Sequence, residues 1–120
     1  MKHILIVDDE PLVREILREV LREAGYRVTD VASAAEALPR VRDDTPDLIV
    51  TDLQLEEMDG FAFIEQARQI APKVPVVLLT GVLFDAAVSR RLGEEKVSGY
   101  IPKTAPLDHL LAEVKRHLAP

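Results

Sequence analysis

Cysteine is absent from the chain, which excludes disulfides, thiolate metal sites and cysteine nucleophiles together. That absence fits a reducing compartment. Also missing is any apolar run near the roughly 18 residues of a membrane-crossing helix. The longest runs are short, such as Ile4 to Val7 and Val76 to Leu79. Behind Lys2 and His3 the first run stops at Asp8, too short for a signal peptide, so a cytoplasmic location and no membrane contact are expected. Positive charge is in deficit, with 15 Lys+Arg against 21 Asp+Glu, a formal charge of −6 and a pI near 5.0. This balance argues against direct nucleic-acid binding through phosphate contacts.

What remains is the make-up of an ordinary globular protein: 120 residues, 48% hydrophobic and 30% charged. That length suits one domain, residues 1–120, able to bury about two thirds of its unfolded surface. Short apolar runs alternate with amphipathic segments. Ile4–Val7, Arg27–Val31, Leu48–Thr51, Val76–Thr80 and a weaker Gly99–Pro102 read as strands, mostly buried on both faces. Between the first two, Leu12, Val13, Ile16, Leu17, Val20, Leu21 and Ala24 share one helical face. Arg14 to Glu23 covers the other face with alternating charge and reads as solvated. Pro11 suits the first turn of this helix and Gly25 the position past its end. A second helix is expected after Ser33, with Glu36 as capping-box partner and Pro39 kinking or shortening it. Gly60–Ala71, Asp85–Leu92 and the segment from Leu107 to Leu118 complete five helices.

Five βα units in series predict an α/β fold. Its five-stranded parallel sheet has helices on both faces and strand order 2-1-3-4-5, the doubly wound, flavodoxin-like arrangement. Ligands of such sheets bind beyond the carboxyl ends of the strands. The order brings together Asp8 and Asp9 after strand 1, Asp52 ending strand 3, Thr80 ending strand 4 and Lys103 after strand 5. Taken singly, each has a plainer reading: Asp9 as a helix N-cap, Asp52 as a loop residue, Thr80 as a strand end, Lys103 as a surface lysine. Jointly they call for a cation, because three carboxylates at one spot repel one another. Hard oxygen donors suit Mg²⁺. A carboxylate beside the metal can become an aspartyl-phosphate, with Lys103 and the Thr80 hydroxyl on the phosphoryl oxygens. His3, His109 and His117 are scattered, and His109 and His117, eight apart on the last helix, read as surface residues rather than metal ligands.

The chain resembles the receiver domain of two-component response regulators (CheY-like). The resemblance rests on five segments in order: Ile4–Pro11, Pro46–Leu53, Met58-Asp59-Gly60, Leu79-Thr80 and Gly99–Lys103. It implies that Asp52 is the phosphoacceptor. It further implies that Asp8, Asp9, Asp52 and the backbone carbonyl of Gln54 hold Mg²⁺, and that Thr80 and Tyr100 form the switch. The implied phosphoryl donor is a phosphohistidine on a sensor histidine kinase or a histidine phosphotransfer protein. An output protein or a second copy would dock on the face formed by the fourth helix, fifth strand and fifth helix. The chain would be a switch that phosphorylates and slowly dephosphorylates itself, not an enzyme acting on outside substrates. It departs from the family at Leu55 and Glu56, where Met and Pro are usual, and at Thr104, where Pro usually follows the lysine. Two rivals are a phosphotransferase of the haloacid-dehalogenase type and a receiver-like binding module that takes no phosphate. The first usually needs an Asp two residues after its nucleophile, and position 10 is Glu.

Overall fold

The computed structural model describes residues 1–55, 58–80, 97–103 and 105–118, apart from the side chain of Thr80. The strands are β1 (His3–Val7), β2 (Arg27–Val31), β3 (Leu48–Asp52), β4 (Val76–Thr80) and β5 (Gly99–Pro102). The helices, in chain order, are α1 (Pro11–Glu23), α2 (Ala34–Asp43), α3 (Gly60–Ile70) and α4 (Leu107–Leu118). The sheet is parallel throughout, in the order β2-β1-β3-β4-β5, as the alternation predicts. The helix expected at Asp85–Leu92 lies outside the described residues. Among the described residues, no helix is long and apolar enough to cross a membrane.

Alternation along each strand divides the core in two. Leu5, Val7, Ile49 and Leu78 point toward α2 and α3, where Phe63, Ile64 and Val41 meet them. Ile4, Ile6, Leu48, Val50, Val77 and Leu79 point the other way, against Leu17 and Leu21 of α1 and Leu110 and Val114 of α4. Each such side chain contributes roughly 1.5–3 kcal/mol by leaving water. This is why the central strands read as unbroken apolar runs.

Local signals place the helix ends. Pro11 opens α1, and Gly25, at φ 99°, closes it. The Gly25 N–H donates to the Arg22 carbonyl at 3.0 Å and the Tyr26 N–H to the Leu21 carbonyl at 3.1 Å, a Schellman pair. At α2 the Glu36 N–H donates to Ser33 Oγ at 3.2 Å, and Glu36 Oε2 accepts from the Ala32 N–H at 3.3 Å. This helix runs on through Pro39 to Asp43. Ala35, whose carbonyl loses its partner to the proline, is exposed, so water can take that bond.

The apolar face of α1 is wider than its contact with the sheet. Leu17 and Leu21 are buried, but Leu12 and Ile16, expected on the same face, are 72% and 47% exposed. They form an adjacent strip one turn long, at the end of the helix nearest the strand tips.

His3 sits at the opposite end of the sheet, buried. Its backbone N–H donates to Asp47 Oδ2 at 2.8 Å, and its Nε2 is paired with Thr29 Oγ1 at 2.8 Å. Nδ1 has no hydrogen bond and lies 4.0 Å from Asp44 Oδ1. Burial, aided by Arg27 and opposed by Asp44 and Asp47, lowers its pKa below 6.5. The unfolded chain therefore takes up this proton first as pH falls. The contribution of His3 to stability is intact above about pH 6.5 and is lost as pH drops toward the lower folded-state value. Urea midpoints should fall between about pH 7 and 5.5. In His3→Gln that slope should be shallower; an unchanged slope would show that other groups set it.

Candidate functional site

Four strand tips meet at the carboxyl edge of the sheet. Asp8 follows β1, Asp52 ends β3, Thr80 ends β4 opposite Pro102, and Lys103 follows β5. Asp8 and Asp52 are buried and Asp9 is half-buried. One carboxylate oxygen from each of the three lies within 4.8 Å of the others. Lys103 Nζ reaches into this group, 2.9 Å from Asp52 Oδ2, 3.2 Å from Asp8 Oδ2 and 3.3 Å from Glu10 Oε1. The other Asp52 oxygen, Oδ1, accepts the Gln54 N–H at 3.2 Å.

Electrostatics follow from this geometry. Burial raises the Asp8 pKa above the usual carboxylate value, and the Glu10 N–H and Lys103 offset part of that rise. Burial works to lower the Lys103 pKa, but its hydrogen bond to Asp52 and the charges of Asp8 and Asp52 outweigh it and raise the pKa. The ammonium is thus held charged among the carboxylates. Asp8 Oδ2 nevertheless accepts no properly directed hydrogen bond, although it is buried. An all-oxygen group with one buried oxygen poorly satisfied is a fit for a hard cation such as Mg²⁺.

The loop after β3 owes its path to a glycine. The Gly60 N–H donates to the Leu53 carbonyl at 2.8 Å, and Gln54 bridges to Asp59. A Cβ on Gly60 would sit 2.6 Å from the carbonyl oxygens of both Asp52 and Leu53. Only glycine lets α3 start this close to the end of β3. Asp59 caps the helix, its Oδ1 accepting the Phe61 N–H at 2.8 Å.

The structure brings Asp8, Asp9, Asp52 and Lys103 together. The Thr80 side chain, Glu56 and Thr104 lie outside the described residues. Tyr100 pairs with Leu78 across β4 and β5 and is 50% exposed, so its ring is not buried core. Two residues were missed by the sequence reading. Glu10 joins Lys103 at the rim. Arg14, counted there with the solvated face of α1, instead donates from Nη1 to the Asp8 main-chain carbonyl at 2.7 Å. A signal for Arg14 was available: helical side chains lean toward the N-terminus, so an arginine early in α1 overhangs the strand tip before it.

Comparison with known proteins gives a consistent result. The family model for the response regulator receiver domain matches residues 4–115. The DNA-binding transcriptional regulator NtrC of Escherichia coli (strain K12) is 33% identical over 115 residues, covering 95% of this chain and 24% of that protein. Response regulator MprA of Mycobacterium avium is 34% identical over 113 residues, 93% of this chain and 49% of that protein. The chain thus spans about a quarter to a half of these relatives. Among solved structures, a CheY-like receiver domain protein from Methanospirillum hungatei JF-1 has a TM-score of 0.91 at 28% identity, over 97% of this chain and 92% of that one. Response regulator TrrA from Thermotoga maritima, in complex with Mg²⁺-BeF, has a TM-score of 0.87 at 30% identity, over 98% of this chain and 100% of that one.

Proposed function

The chain belongs to the response regulator receiver domain family, and from that premise we propose that Asp52 is its phosphoacceptor and that phosphorylation switches the face that carries β5 and α4. One observation carries the reading: the Lys103 ammonium lies 2.9 Å from Asp52 and 3.2 Å from Asp8 at the strand tips. Asp8, Asp9, Asp52 and the Gln54 carbonyl would hold Mg²⁺, which supplies charge neutralisation when bound. The phosphoryl group would leave a phosphohistidine nitrogen on a sensor histidine kinase or histidine phosphotransfer protein as a bond to an Asp52 carboxylate oxygen forms. Lys103 and Thr80 would then hold the phosphoryl oxygens. The same groups would orient water for slow hydrolysis, so the domain resets itself and turns over no outside substrate.

Partner surfaces follow from what is exposed. Leu12 and Ile16 flank the site, and Ile16 opens onto a groove of about 240 Å³ that Leu107 and Ala105 also line. An apolar strip beside the acceptor suits a helical phosphoryl donor. Tyr100, Gly99 and α4, the fifth helix expected from the sequence, lie on the side proposed for an output protein or second copy. A cytoplasmic location accords with this role. The dehalogenase-type reading lacks support, since the family match covers a receiver domain with Glu at position 10. A module unable to take phosphate has no evident use for the Asp8, Asp9, Asp52 and Lys103 cluster.

The switch can be tested with beryllofluoride and Mg²⁺, which mimic the phosphoryl group. Amide shifts should move at Asp9 and Asp52. The Tyr100 ring, pulled by the repositioning of Thr80, should turn from solvent toward β4, with shifts spreading over Asp85 to Leu92. A Tyr100 ring that stays exposed, with those amides unmoved, would mean that output leaves by another surface.

A further inference from the structure

We propose that Arg14, anchored by Asp30, is a positioning residue that sets the orientation of the Asp8–Asp9 peptide and through it the Mg²⁺ affinity of the acidic pocket. The inference rests on the reading that Asp8 and Asp9 hold the metal. Asp8 is buried at the point where β1 leaves the sheet. Its N–H still donates to the Val31 carbonyl at 3.2 Å, the last rung shared with β2. Its side-chain Oδ1 accepts the Glu10 N–H at 2.9 Å. Its carbonyl has run past the ladder, and the group that meets it is the Arg14 guanidinium at 2.7 Å. Arg14 is itself held, with Nε 3.5 Å from Asp30 Oδ2 on β2. Arg18 binds the same Asp30 carboxylate at 3.2 Å but does not share the hydrogen bond to Asp8.

The physical consequence concerns one peptide plane. The Asp8 carbonyl and the Asp9 N–H belong to the same rigid unit. Without Arg14 a buried carbonyl would lack a partner, and the plane would rotate to bring it to water. That rotation redirects both carboxylates flanking the plane. A cation placed behind a cation site would ordinarily weaken metal binding by repulsion. The positioning role has the opposite sign, and this makes the two separable.

The experiment is Mg²⁺ titration of the whole chain, followed by amide shifts, for wild type, Arg14→Met, Arg14→Lys and Arg18→Met. Arg14→Met should bind Mg²⁺ about tenfold more weakly, the low end of losses when the outer support of a metal ligand is removed. Arg14→Lys keeps the charge but cannot bridge Asp30 and the Asp8 carbonyl together, so it should also weaken binding, by less. Arg18→Met removes an equal charge from the same carboxylate and should bind as well as wild type or better. In metal-free protein the Glu10 amide should exchange faster in Arg14→Met than in Arg18→Met. Arg14→Met or Arg14→Lys binding as tightly as wild type would overturn the proposal, as would equal weakening in Arg18→Met. Wild type showing no Mg²⁺ shifts at Asp8 and Asp9 would overturn the metal reading itself.

Discussion

Asp52→Asn should reduce phosphoryl incorporation to background. With a small phosphoryl donor and Mg²⁺, wild type should gain one phosphoryl group by intact mass and the variant none. The substitution is nearly isosteric, and the amide oxygen can still accept from Lys103 Nζ, now 2.9 Å from Asp52 Oδ2. What disappears is the carboxylate that attacks phosphorus. The fold should survive, and its melting temperature should hold or rise. Asp8 and Asp9 lie within 4.8 Å of Asp52, so removing one of three like charges relieves repulsion. Equal labelling of a well-folded Asp52→Asn would show that phosphate lands elsewhere.

Gly60→Ala should cost about 3 kcal/mol of stability, the upper end for overpacking, because the new methyl meets backbone that cannot rotate away. Its Cβ would lie 2.6 Å from two carbonyl oxygens and 2.8 Å from Leu53 Cα. To make room, the start of α3 must withdraw from β3, breaking the Gly60–Leu53 hydrogen bond and shifting the Gln54 carbonyl. Phosphorylation should therefore slow along with the loss of stability. Gly25→Ala is the useful contrast: it faces open space, and its cost, about 1 kcal/mol, comes from a positive φ alone. Urea denaturation of both variants checks the ranking. A Gly60→Ala protein as stable as Gly25→Ala would mean that the β3–α3 loop yields easily.

β1, β3 and β4 were legible because both of their faces are buried; the edge strands β2 and β5 are partly exposed and were legible from their place in the alternation. Arg27–Val31, Val76–Thr80 and Gly99–Pro102 match the observed strands residue for residue, and β1 and β3 differ from expectation by one residue at an end. Their order was legible because serial βα units with right-handed crossovers leave few topologies. With the order in hand, the meeting of Asp8, Asp9, Asp52 and Lys103 follows from their places just past the strands. Contacts that depend on register were not legible. That Arg14 and Arg18 both turn to Asp30 depends on how α1 lies across β1 and β2, which charge alternation along the helix does not encode. The exposure of Leu12 and Ile16 was hidden for the same reason: periodicity marks an apolar stripe but not how much of it the sheet covers. Pro39 shows a local rule yielding, because the bond it removes faces solvent.

The most direct test of the account is to trap the modified residue. An aspartyl-phosphate is an acyl phosphate, and borohydride reduces it to an alcohol, so a phosphorylated aspartate becomes homoserine. After phosphorylation with Mg²⁺ and reduction, peptide mass spectrometry should find homoserine at position 52 and nowhere else. Homoserine at Asp8 or Asp9 with an unmodified Asp52, or no homoserine in protein that carries a phosphoryl group, would contradict it.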